Sequence, residues 1–250
     1  MEKLTVLAVG GPTALLELGG LRILTDPTFD PPGEYPRPEV TLQKTVGPAV
    51  SADEIGDVDL VLLSHDQHDD NLDHSGREFL SRASTVITTT EGAERLGAGA
   101  IGLEPWSSTA IGGLGITAVP AHHAPDESHH LLGPVIGFVL KGDELPSVYV
   151  SGDNASVDVV RSIAERVGQV DVAILFAGGA RAERLNAYIT LTNERAVEAT
   201  ELLGARVVIP VHHNGWGHFT QDLDSLQAAF AEAGLADRLV ALEPGESATV

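Results

Sequence analysis

Ten histidines occur in the 250-residue chain, and all ten fall in three short windows: His65, His68 and His74; His122, His123, His129 and His130; His212, His213 and His218. The first window reads LVLLSHDQHDDNLDHSG over residues 60–76, where four apolar residues lead into imidazole, carboxylate and amide. Imidazole and carboxylate suit Zn, Mn or Fe, and a chain without cysteine has no thiolate site to offer. A metal held by such ligands with one position open brings a coordinated water towards a neutral pKa, which is hydrolytic chemistry. One histidine alone would be read as a surface or hydrogen-bonded residue, but that reading is poor for the whole set.

Each window follows a stretch that reads as a strand, where the ligand-bearing loops of α/β proteins gather. VDLVLLS and VDVAILFAGG are continuous apolar runs, the pattern of strands covered on both faces. GLGITAVPAHH and ARVVIPVHH end directly on histidine pairs, and PSVYVSGD ends on Asp153. TVLAV and ALLELGGLRILTD read as strands, the latter a hairpin turned at Gly19-Gly20. SVDVVRSIAERVG is a helix with Val159, Ile163 and Val167 on one face, and TNERAVEATELLG is a helix with Thr192 as N-cap and Gly204 after its end. Residues 27–51 hold six prolines with little periodicity and read as a structureless insert of the lid or binding-loop kind. The order is β-rich and then alternating, twice over. It predicts one domain over residues 1–250, a four-layer α/β sandwich of two similar halves meeting near residues 130–140.

Composition narrows the partners. With 43% hydrophobic residues the chain can bury a core, and its formal net charge of −21 disfavours nucleic acid and anionic membranes. No apolar segment is long enough to span a bilayer, and the N-terminal apolar run is too short for a signal peptide. The expectation is a cytoplasmic protein with a small-molecule substrate and unassigned oligomeric state.

SHDQHDDNLD, VPAHHAP, SGD and VIPVHHNGWGHF, in this order, resemble the metallo-β-lactamase superfamily. The most similar branch is that of L-ascorbate-6-phosphate lactonase and N-acylphosphatidylethanolamine-hydrolysing phospholipase D, which LRILTDPTF and LEPGE also match. The resemblance covers nearly the whole chain and implies the αββα sandwich. It implies metal ligands at His65, His68, Asp70, His123, Asp153 and His212, with His122 the alternative to its neighbour. It gives Asp26 an outer role beside the site. Asp70 would hold the nucleophile or move its proton, and Asn71 joins it as a candidate catalytic residue. The cofactor implied is one or two Zn2+, with Mn2+ or Fe2+ as alternatives.

The chain departs from the family pattern in three places. Two residues, Asp66 and Gln67, separate its first two histidines where the family has one. Anchored on the right, the match makes His68 and Asp70 ligands and displaces His65 by a one-residue bulge; anchored on His65, Gln67 and Asp69 take the ligand places. Asn71 stands where the second metal has an imidazole in the family, which predicts a tight site at His65, His68, His123 and Asp153 and a weaker one at Asp70, Asp153 and His212. GGPT near residue 11 lacks the Gly-His common in that branch. Of the remaining polar residues, Asp73 is expected to orient the loop, His74 to lie at the surface, and Trp216 and His218 to be candidates for the pocket wall. His129 and His130 are divided between substrate contact and a solvated loop, and Arg181 and Arg184 between anion binding and ordinary surface. The main functional expectation is a metal-dependent hydrolase of a small-molecule lactone, ester, amide or phosphodiester. The alternative is a degenerate relative that binds metal or ligand without turnover.

Overall fold

The computed structural model describes residues 2–38, 40–97, 99–124 and 129–250, with the backbone alone at residues 129 and 130. β1 (Thr5–Gly10), β2 (Thr13–Leu18) and β3 (Leu21–Thr25) form an antiparallel meander. Gly19 and Gly20 turn the β2–β3 hairpin with φ of 59° and 75°, the two positive values that a two-residue turn of type I′ requires. The Pro-rich segment is not structureless. β4 (Gly33–Pro36) and β5 (Thr41–Lys44) pair antiparallel, and α1 (Ala52–Ile55) follows. Pro31, Pro32 and Pro38 fall outside these strands and Pro36 ends β4, so the two-stranded ladder tolerates them.

β6 (Val58–Leu62), α2 (His74–Phe79), β7 (Ala83–Thr88), α3 (Thr90–Leu96) and β8 (Ala100–Gly102) extend the first sheet in parallel from β3. The chain then passes to the second sheet through β9 (Ser108–Ile111), β10 (Leu114–Pro120), α4 (His129–Leu132), β11 (Ile136–Lys141) and β12 (Val148–Val150). α5 (Val157–Val167), β13 (Val172–Phe176), the small hairpin β14 (Arg181–Ala182) and β15 (Ala187–Tyr188), α6 (Asn193–Leu203), β16 (Val207–Val211) and α7 (Leu223–Glu232) follow. β17 (Ser247–Thr249) returns to β1. The spatial orders are β17-β1-β2-β3-β6-β7-β8 and β16-β13-β12-β11-β10-β9. Residues 130–140, where the sequence suggests that two halves meet, join β10 to β11 inside the second sheet; the change of sheet lies between Gly102 and Ser108.

Alternation along the strands builds the layers. Leu60 and Leu62 of β6 meet Ile174 and Phe176 of β13 between the sheets. Val61 and Leu63 point the other way and pack with Phe79 of α2. Ala173 and Leu175 pack outward against Ile163 of α5, Ala199 of α6 and Phe230 of α7. The result is the expected αββα sandwich. Thr192 caps α6 by accepting from Arg195 N–H, and Gly204 closes it at φ 59°. Among the described residues no helix is long and apolar enough to cross a membrane.

Candidate metal centre

The candidate ligands all sit just past the carboxyl ends of strands on one edge of the sandwich. Asp26 follows β3, His65 to Asp70 follow β6, His123 follows β10, Asp153 follows β12 and His212 follows β16. Cross-links between neighbouring loops hold them in place. Asp26 Oδ1 accepts from Ser64 N–H at 2.7 Å, so the residue before His65 is tied to the end of β3. Asn154 Oδ1 accepts from His122 N–H at 3.0 Å and Ala155 N–H donates to the His122 carbonyl, which locks the His123 loop to the Asp153 loop. Asp26 and His212 both take positive φ, 28° and 56°, a strained geometry found at sites over-determined by their surroundings. His212 is held by its N–H on the Gly11 carbonyl and by the rings of Phe176 and Phe219.

Two groups of donors result. The ligand atoms of His65, His68, His123 and Asp153 lie within 4.8 Å of one another, and so do those of Asp70, Asp153 and His212. In the first group His68 Nδ1 is 2.9 Å from His65 Nε2 and 3.1 Å from His123 Nε2. His123 Nδ1 donates to the Ile189 carbonyl at 2.7 Å, which leaves its Nε2 bare of hydrogen in the neutral ring. Burial, with His68 and His123 close by, drives the His65 imidazole well below its ordinary pKa; burial and His123 bring His68 down to about 4. Three rings thus turn nitrogens toward one point, where one ring hydrogen satisfies at most two of them. That arrangement fits a cation.

Asp153 joins the groups, with Oδ2 3.5 Å from His123 Nε2 and Oδ1 3.3 Å from His212 Nε2. Both carboxylate oxygens are buried and lack aligned hydrogen bonds, as do both ring nitrogens of His212. Uncompensated buried polar atoms of this kind are costly, and a metal ion would satisfy them. Burial opposes the charge on both partners. Even so, His212 and His123 hold the Asp153 carboxyl below the usual carboxylate range, and Asp153 with Asp70 pushes His212 up to about 10. Burial would likewise raise Asp70, but the His212 and His218 imidazoles close beside it outweigh burial and hold Asp70 well below the carboxylate range.

The other acids of the 65–74 loop are engaged elsewhere. Asp66 forms a two-pronged pair with Arg95, and Asp69 pairs with Arg37 at 2.6 Å. Asp73 caps α2, accepts from Phe29 and Asp30 N–H, and forms a buried ion pair with Lys44 at 2.7 Å. Asp70 is the acid of this loop that faces the histidines. Asp66 is turned away from the histidines onto Arg95, and His65 and His68 meet edge-on at 4.7 Å between ring centroids. His68 uses Nδ1, the nitrogen nearer the main chain. Asn71 is fully buried beside Asp70, and neither amide atom has a hydrogen-bond partner.

His218, a candidate for the pocket wall in the sequence, has its Nε2 3.0 Å from Asp70 Oδ2. Its one signal there was the GWGHF run just after the last ligand window. Trp216 packs on Tyr35 of β4 at 5.2 Å and under Lys44. His74 is exposed and stacks on Tyr35, and His213 is buried behind His212. Arg181 pairs with Glu183 and Asn186 and faces the Tyr188 ring. The side chains of His129 and His130 lie outside the described residues.

A family model described as "Beta-lactamase superfamily domain" matches residues 21–213, a span holding every donor of both groups. A UPF0173 metal-dependent hydrolase of Pyrococcus furiosus is 30% identical over 207 residues, covering 80% of this chain and 86% of the relative. The chain belongs to the β-lactamase superfamily and, within it, to the UPF0173 family. A possible metal-dependent hydrolase from Veillonella parvula shares the fold with a TM-score of 0.85 at 19% identity, over the full length of both chains. An isothiocyanate hydrolase from Delia radicum gut bacteria shares it with a TM-score of 0.84 at 20% identity, over 98% of each chain.

Proposed function

We propose that this chain is a metal-dependent hydrolase, with a zinc-type ion or pair of ions held by His65, His68, Asp70, His123, Asp153 and His212, acting on a small-molecule lactone, ester, amide or phosphodiester. The observation that carries the reading is Asp153, whose two oxygens face two separate imidazole groups, each with its own convergent donors. Membership in a family of metal-dependent hydrolases supports it. A divalent ion bound there would supply Lewis acidity and an acidified water. Asp70, held as a carboxylate beside His212 and His218, can accept a hydrogen bond from an attacking water and orient it. Asp26 serves indirectly, holding Ser64 and through it His65. The net charge of −21 supports small molecules over nucleic acid as substrates.

The test is metal analysis of the purified protein together with a panel of lactones, esters, amides and phosphodiesters, before and after chelation. Hydrolysis lost on chelation and restored by added zinc or manganese is the expected result. Metal-replete protein that turns over no member of the panel would favour the degenerate reading, which Asn71 motivates.

A further inference from the structure

We propose that His218 is the fourth protein donor of the second metal position, so that the loop after β16 supplies the imidazole that the loop after β6 lacks at Asn71. The inference rests on the metal-site reading above and extends it to a residue that lies outside both donor groups.

The separations carry it. Two atoms that each sit about 2.1 Å from one ion are roughly 3.0 Å apart at octahedral and about 3.4 Å apart at tetrahedral angles. His218 Nε2 is 3.0 Å from Asp70 Oδ2, His212 Nε2 is 3.5 Å from the same oxygen, and His212 Nε2 is 3.3 Å from Asp153 Oδ1. Each of the three matches an edge of a coordination polyhedron, while His218 lies outside the set whose ligand atoms are all within 4.8 Å, so its ring must move inward to share the ion with Asp153 and His212. Asp70 Oδ2 is therefore flanked by two imidazole nitrogens, one from each end of the 212–218 segment. The far nitrogen of His218, Nδ1, is buried without a hydrogen-bond partner, so no second contact turns the ring away from Asp70. Asn71 is also buried without a partner, but it offers at best an amide oxygen, a weaker donor for zinc than imidazole. The ring of His218 is seated against Phe219 at 4.7 Å and Trp216 at 6.4 Å, and the His218 carbonyl accepts from Arg181 N–H. The second position thereby gains a neutral nitrogen donor in place of an amide oxygen, which returns it towards zinc.

A rival role for His218 is to orient Asp70 by a hydrogen bond without touching the ion. The absence of cysteine from the chain makes the two roles separable. Metal-stripped wild type, His218→Ala and His218→Cys are each titrated with zinc and with cobalt(II), and circular dichroism checks the fold. Wild type is expected to take two ions, and His218→Ala to weaken the second by at least about tenfold while the first is unchanged. His218→Cys should show a thiolate-to-cobalt charge-transfer band that rises with the second equivalent and not with the first. No such band, a band with the first equivalent, or an unchanged second affinity in His218→Ala overturns the inference. Should His218→Cys misfold, Asn71→His decides: it rescues the second ion in His218→Ala if His218 is a ligand, and strengthens binding equally in both backgrounds if it is not. Wild type that takes one ion refutes His218 as donor and leaves the three-histidine group standing; wild type that takes none refutes the metal reading itself.

Discussion

Asp153 Oδ1 lies 3.3 Å from His212 Nε2, while Oδ2 of the same carboxylate lies 3.5 Å from His123 Nε2. One buried side chain at the end of β12 therefore stands between the loops that follow β10 and β16 of the second sheet. Asp153→Ala should weaken both metal positions by at least roughly a hundredfold, the upper end of what losing an outer partner costs. The fold should survive, because Asp153 makes no hydrogen bond that holds another loop. Elemental analysis alongside circular dichroism checks this, and full metal occupancy in the variant would reduce Asp153 to a structural role.

Gly178 is a close-approach position. A Cβ there would lie 2.3 Å from the His212 carbonyl oxygen and 2.9 Å from Phe219 Cδ1. Gly178→Ala should cost about 1–3 kcal/mol in overpacking and push His212 off its strained backbone. Metal titration should show loss at the Asp70, Asp153 and His212 group with the three-histidine group intact. Equal affinity at both positions and an unchanged melting temperature would rule this out.

Lys44 and Asp73 are side chains only 3% and 0% exposed, paired at 2.7 Å, and they tie the β4–β5 hairpin to the cap of α2. Lys44→Met leaves the carboxylate buried without its cation, at a cost of about 3–5 kcal/mol. Urea unfolding measures it. A loss below about 1 kcal/mol would mean that the three backbone N–H groups on Asp73 suffice.

Burial brings the His213 imidazole down to about 4, with the neighbouring His212 adding to the effect. Between an unfolded value near 6.5 and this folded value, the unfolded chain binds a proton that the folded chain refuses. Stability should thus be fully present above about pH 6.5, fall as pH drops towards 4, and level off below. The contribution is on the order of 3 kcal/mol. In chelator-treated protein, His213→Gln should flatten the slope over that window relative to wild type. Parallel pH profiles for the two proteins would show that His213 does not carry it.

Much of the architecture was legible locally. Continuous apolar runs marked β6 and β13 because both faces of each are covered, and a Gly-Gly pair marked the β2–β3 turn because only glycine enters it without strain. Thr192 and Gly204 bounded α6 through short-range capping. The segment 27–51 misled because β4 and β5 are short, and the pair is secured by distant partners: Lys44 on Asp73 and Tyr35 on Trp216. Neither partner leaves a period in the local sequence.

By itself, the sequence determined which residue types stand at the ends of which strands, since alternation and apolar runs depend on near neighbours alone. Only the tertiary structure decided which of those groups face one another. His123 rather than His122 turns inward because its Nδ1 finds the Ile189 carbonyl, 66 residues away. Asp70 faces the histidines while Asp66, Asp69 and Asp73 do not, because Arg95, Arg37 and Lys44 arrive from other elements to neutralise those three. His218 returns to Asp70 because packing on Phe219 and Trp216 sets its ring. Side-chain direction at a strand end is chosen by contacts across the sandwich, and residue order along the chain carries no record of such contacts.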